Sequence, residues 1–147
     1  MADVTPDPRG RVPRLLLVED NPADADLVRT AIARFSRPLR MCVAPTAGTA
    51  IDYVDAAIAG DQAFALVLLD LNLPDRPGLD LLCHLRERPA MDATPIVVLS
   101  SSRSATDHEQ AWLRGASQIM AKHSDWRPFL DGLLSALDRH LPAVITD

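Results

Sequence analysis

The sequence is poor in the features that would send a chain into a membrane, out of the cell or onto nucleic acid. No stretch approaches the ~20 consecutive apolar residues that a membrane span needs. The opening "MADVTPDPRGRVP" lacks the apolar centre of a signal peptide and reads as a flexible tail over residues 1–13. Fifteen Lys and Arg stand against twenty Asp and Glu, for a net charge of −5, and the basic residues form no cluster. That balance argues against nucleic acid as a direct partner. Only two cysteines occur, Cys42 and Cys83, each inside an apolar segment, as expected of small core residues in a reducing cytosol. "VEDNPADAD" has no glycine-rich turn, so dinucleotide binding lacks its phosphate loop, and no Walker lysine motif is present. His84, His108, His123 and His140 are scattered without ligand spacing, which points to structural or solvated roles.

What is present is an ordinary globular composition. At 147 residues, 48% hydrophobic and 24% charged, the chain is read as one domain. A chain of this length buries roughly 70% of its unfolded surface. Short apolar runs alternate with amphipathic ones. "RLLLVED" (14–20) is a continuous apolar run ending in acids, suited to a strand covered on both faces. "NPADADLVRTAIARF" follows, with Asn21 as N-cap, Pro22 at the first helical position and Asp24 complementing the helix dipole. "PLRMCVA" (38–44) is a more polar strand, expected nearer an edge, and "TAGTAIDYVDAAIAG" (46–60) a helix closed by Gly60.

A third strand at 65–70 leads into "GLDLLCHLRER", a helix halted before Pro89. "TPIVVLS" (94–100) is a fourth strand. "SATDHEQAWLRG" is a helix with Ser104 and Asp107 in a capping-box arrangement, ending at Gly115. "SQIMA" (117–121) is a fifth strand. "SDWRPFLDGLLSALDRHL" carries Phe129, Leu130, Leu133, Leu134, Leu137 and Leu141 along one stripe, with Pro128 in its first turn blurring where the helix begins. Trp112 and Trp126 are expected to be packing residues. Five strands alternating with five helices imply an α/β fold, a five-stranded parallel sheet with helices on both faces.

In such folds ligands bind at the C-terminal edge of the strands. Strand one delivers Glu19 and Asp20 there, strand three Asp70 with Asn72 two residues on, strand four Ser100 and Ser101, and strand five Lys122. Carboxylates gathered this closely repel one another unless a cation enters. Hard oxygen donors without histidine or thiolate favour Mg²⁺. A divalent ion beside Lys122 makes a cradle for a phosphoryl group, Ser100 can donate a hydrogen bond to it, and Asp70 is a plausible nucleophile. The apolar strand would then serve to fix the carboxylate at its tip.

These residues resemble the receiver domains of two-component response regulators over residues 13–141. The matching features are "ED" at 19–20, "LLDLNLPDRPGLDLL" around Asp70, "PIVVLSSS" and "GASQIMAK". The resemblance implies the (βα)5 flavodoxin-like receiver fold over 14–141. It implies that Asp70 accepts phosphate from a sensor histidine kinase, and that Glu19, Asp20, Asp70 and the main-chain carbonyl of Asn72 arrange Mg²⁺. Ser100 would hydrogen-bond the phosphoryl group and Lys122 would pair with it. "VEDNPADADLVRTAI" and "LNLPDRPG" look most like the stand-alone, cytoplasmic regulators that partner bacterial phytochrome kinases. Homodimers are common among those relatives. The segment 142–147, with Val144 and Ile145, is either a dimerisation arm or a frayed tail.

Two features depart from the pattern. Ile119 occupies the position where many receivers carry an aromatic switch residue, so a switch would be expected in the loop after Ser100 or in helix 104–114. His123 replaces the proline that commonly follows the lysine, so no cis bond is expected there. With the sequence stopping at Asp147, output is expected through protein contacts rather than turnover or DNA binding. The alternatives are a pseudo-receiver that only binds, and a phosphatase of the haloacid-dehalogenase type. The phosphatase would need an acid where Asn72 stands.

Overall fold

The computed structural model describes residues 12–101, 104–122 and 125–141. The five apolar runs become β1 (Arg14–Val18), β2 (Arg40–Ala44), β3 (Leu66–Asp70), β4 (Ile96–Ser100) and β5 (Gln118–Ala121). The amphipathic stretches become α1 (Pro22–Arg34), α2 (Ala47–Ala59), α3 (Gly78–Arg86), α4 (Ala105–Leu113) and α5 (Trp126–His140), with a 3-10 turn at Pro89–Met91. The expected tail at 1–13, apart from its last two residues, lies outside the described residues, as do His123 and the segment 142–147.

Polar side chains start most helices. Asn21 accepts from the N–H groups of Ala23 and Asp24 at 2.9 and 3.5 Å. Thr46, Ser104 and Asp125 cap α2, α4 and α5 in the same way. Helix α5 begins at Trp126, ahead of Pro128, whose missing N–H falls among the first four that have no partner inside a helix anyway. Gly60 does follow α2, but with φ −84°; the left-handed residue is Asp61, at φ 57°.

All strand pairs are parallel and the order is β2-β1-β3-β4-β5, so the more polar β2 forms an edge. Side chains alternate faces along each strand. Leu16, Val18, Val67, Leu69, Ile96 and Val98 pack with α2, α3 and α4. Leu15, Leu17, Leu66, Leu68, Val97 and Leu99 pack with α1 and α5. The chain leaves β1 toward β2 and returns to place β3 on the other side of β1. This reversal opens a crevice at the C-terminal ends of β1 and β3.

One expectation is corrected here. Trp112 and Trp126 are not packed but 51% and 48% exposed. Helix α4 buries only Ala111, and Trp112, about 100° further round the helix, faces outward. Trp126 instead lies under the Arg127 guanidinium, 5.4 Å from the ring centroid.

Candidate functional site

Glu19, Asp70 and Lys122 continue the alternation that sends Leu17, Leu68 and Met120 toward α1 and α5. Glu19 and Asp70 are almost fully buried, at 2% and 3% exposed, while Asp20 is exposed at the rim. One carboxylate oxygen from each of Glu19, Asp20 and Asp70 lies within 4.8 Å of the others. The Lys122 Nζ reaches into the same crevice, 2.7 Å from Glu19 Oε2, 2.9 Å from Asp24 Oδ2 and 3.1 Å from Asp70 Oδ2.

Burial pushes the Glu19 carboxyl up to about 7, helped by nearby Asp70 and opposed by Lys122. Burial acts to lower the Lys122 pKa, but hydrogen bonds to Glu19 and Asp24 and the charges of Asp70 and Glu19 outweigh it and raise it above the ordinary lysine value. The lysine is a fixed positive charge at the mouth of the sheet.

Main-chain bonds hold these side chains in place. The Lys122 N–H donates to the Ser100 carbonyl at 2.8 Å, extending the β4–β5 ladder past its last strand pair. Ser100 is buried at the end of β4, one residue beyond Leu99, which stands opposite Asp70 in the neighbouring strand. The Asn72 N–H donates to Asp70 Oδ1 at 3.0 Å, and the Asn72 side-chain amide to Ser101 Oγ at 3.2 Å. The Asn21 N–H donates to Glu19 Oε1 at 3.2 Å. Glu19, Asp20, Asp70, Asn72, Ser100, Ser101 and Lys122 thus come from four strands to one edge.

Three hard oxygen donors within reach of one small ion, two of them buried and mutually repelling, suit Mg²⁺ better than a softer metal. Among the described residues no other group of three acids, histidines or cysteines gathers this way.

The response regulator receiver domain model matches residues 15–132. This chain belongs to that family. The probable methanogenesis regulatory protein FilR2 of Methanothrix harundinacea is 32% identical over 109 residues, which are 74% of this chain and 70% of that protein. The matched stretch is 33% of the length of the transcriptional activator PfeR of Pseudomonas aeruginosa and as little as 13% of that of other curated relatives. The phosphorylated cyanobacterial phytochrome response regulator RcpA superposes with a TM-score of 0.82 at 25% identity, over 90% of this chain and 99% of RcpA. The bacteriophytochrome response regulator AtBRR superposes with a TM-score of 0.69 at 27% identity, over 93% of this chain and 99% of AtBRR.

Two residues of this receiver domain carry more of the site than their sequence positions suggest. Asp24, read from sequence as a dipole partner, contacts Lys122 directly. The signal available was helical spacing: Asp24 lies four and seven residues before Val28 and Ala31, on the stripe of α1 that faces the sheet. Asp75, in the turn after β3, accepts from the N–H groups of Ala47 and Gly48 at 2.9 and 3.0 Å. Those two donors hold its carboxyl below the ordinary range, and the contact ties the turn after Asp70 to the start of α2. Helix α3 has no side-chain cap of its own, because Pro77 stands at its N-cap. Ile119 is half-buried against the α2–α4 side of the core.

Proposed function

We propose that Asp70 of this receiver domain accepts a phosphoryl group from a sensor histidine kinase and that the protein signals through the contacts its phosphorylated form makes. The observation that supports this most directly is the placement of the Lys122 ammonium 3.1 Å from Asp70 Oδ2, beside two further acids. An oxygen of Asp70 forms the new O–P bond. The P–N bond to the kinase imidazole breaks, and its electron pair stays on the histidine nitrogen. Lys122 pairs with the phosphoryl oxygens and Ser100 donates a hydrogen bond to them. Glu19, Asp20, Asp70 and the main-chain carbonyl of Asn72 would hold Mg²⁺, which neutralises charge on the transferring group. A self-modifying acceptor of this kind catalyses only its own phosphorylation and dephosphorylation.

The likeness to the phytochrome response regulator RcpA and the bacteriophytochrome response regulator AtBRR supports a bacteriophytochrome as the kinase, and the same proposal takes the regulator to be a stand-alone cytoplasmic homodimer. No described helix is long and apolar enough to cross a membrane. The test is incubation with acetyl phosphate and Mg²⁺, read by intact mass. Wild type gains one phosphoryl group and Asp70→Asn gains none. Equal labelling of both moves the chemistry elsewhere, and no labelling of either leaves a receiver that only binds.

A further inference from the structure

A lysine ammonium has three protons to donate, and Lys122 has three carboxylates around it. Two of them, Glu19 and Asp70, belong to the acidic cluster. The third, Asp24, is not among the acids whose oxygens gather within reach of one cation. It comes from the first turn of α1, a helix the chemistry otherwise leaves unused. Its Oδ2 lies 2.9 Å from Nζ, between the Glu19 and Asp70 distances, and both side chains are largely sheltered, at 26% and 14% exposed.

We infer that Asp24 is a positioning residue that holds Lys122 toward α1 until a phosphoryl group arrives at Asp70. This rests on the phosphoacceptor reading above. Glu19 and Asp70 would turn oxygens to a cation when one is bound, whereas Asp24, outside that cluster, would stay with the lysine. An incoming phosphoryl group has to win Lys122 from Asp24, so the two anions compete for one ammonium. The contact made in place of Asp24 is present when the donor binds and when the bond forms. Removing the competitor therefore strengthens both stages alike, which appears in the half-saturating donor concentration and not in the limiting rate. A role confined to the helix dipole would change stability and leave donor affinity where it was.

The experiment measures phosphorylation by acetyl phosphate in saturating Mg²⁺ for wild type, Asp24→Asn, Asp24→Glu, Lys122→Met and the Asp24→Asn/Lys122→Met pair. Asp24→Asn is expected to lower the half-saturating acetyl phosphate concentration about five- to tenfold with little change in limiting rate, equivalent to ~1–1.4 kcal/mol. Asp24→Glu restores wild-type behaviour, and in the Lys122→Met background Asp24→Asn changes nothing. Fluoroberyllate binding with Mg²⁺, read by tryptophan fluorescence, should tighten by the same factor and needs no turnover. An unchanged or raised half-saturating concentration in Asp24→Asn, or an effect that persists without Lys122, overturns the inference while phosphorylation of Asp70 stands. Wild type that takes up neither acetyl phosphate nor fluoroberyllate overturns both.

Discussion

Gly78 is held to glycine by space. A Cβ built on it would sit 2.5 Å from Leu71 Cα and 2.6 Å from the Asp70 carbonyl oxygen, closer than real atoms come. Its N–H donates back to the Leu71 carbonyl at 2.9 Å, closing the turn against the strand end that presents Asp70. Gly78→Ala must displace main chain in that turn, and overpacking of this kind costs roughly 1–3 kcal/mol. We expect a thermal midpoint several degrees below wild type and slower uptake of phosphate from acetyl phosphate; an unchanged melt would mean that the turn has slack. Gly115 differs, since its φ of +108° is strained for any side chain and Arg86 Cγ also lies 2.9 Å from a Cβ there. The acids at the strand tips were legible in the sequence because an apolar run broken by a carboxylate is a local pattern. Asp24 was not, because its role depends on which face of the sheet α1 covers. Asp75 was not either, because its partners stand 27 and 28 positions away.

Elements were legible where their own residues decide them. The caps at Asn21 and Ser104 act as the sequence indicates, and β2 lies at the edge that its polarity suggests. Strand starts were read early: the apolar run beginning at Thr94 enters the sheet only at Ile96, because Pro95 has no N–H to give the ladder. What joins two elements was out of sight, and His140 is an example. At the end of α5 its Nε2 lies 2.7 Å from Gln118 Oε1, at the start of β5. Burial, with the charge of Arg139, holds its pKa below the ordinary histidine value. On acidification the unfolded chain therefore protonates first, near about pH 6.5. The unfolded state then binds more protons than the folded one, and stability falls as pH drops through that window. We expect the urea midpoint of wild type to decline below pH 6.5 more steeply than that of His140→Gln, with a constant difference between the two at pH 8 and above. Parallel curves down to pH 5 would show that this histidine titrates alike in both states.

The site itself belongs to no single element. Lys122 and Glu19 are 103 positions apart, and only the order β2-β1-β3-β4-β5, with cores on both faces, brings them into contact. Folding therefore concentrates Glu19, Asp24 and Asp70 around one ammonium and brings Asp20 beside Glu19 and Asp70, an arrangement with more negative than positive charge that the unfolded chain does not have. A cation that binds only this assembled crevice stabilises the whole molecule by mass action, ~2.7 kcal/mol at a hundred times its dissociation constant. Removing Asp20, the exposed member, has two effects of opposite sign. It relieves repulsion in the ion-free protein, so Asp20→Asn should melt no lower than wild type in chelator. It also removes a ligand, so at any given Mg²⁺ concentration the variant should gain less. The measurement is the thermal midpoint of both proteins against MgCl₂, with NaCl matched for ionic strength to separate site binding from screening. If NaCl raises the wild-type midpoint as far as MgCl₂ does, or if Asp20→Asn keeps the full increment, these carboxylates do not act together on one ion.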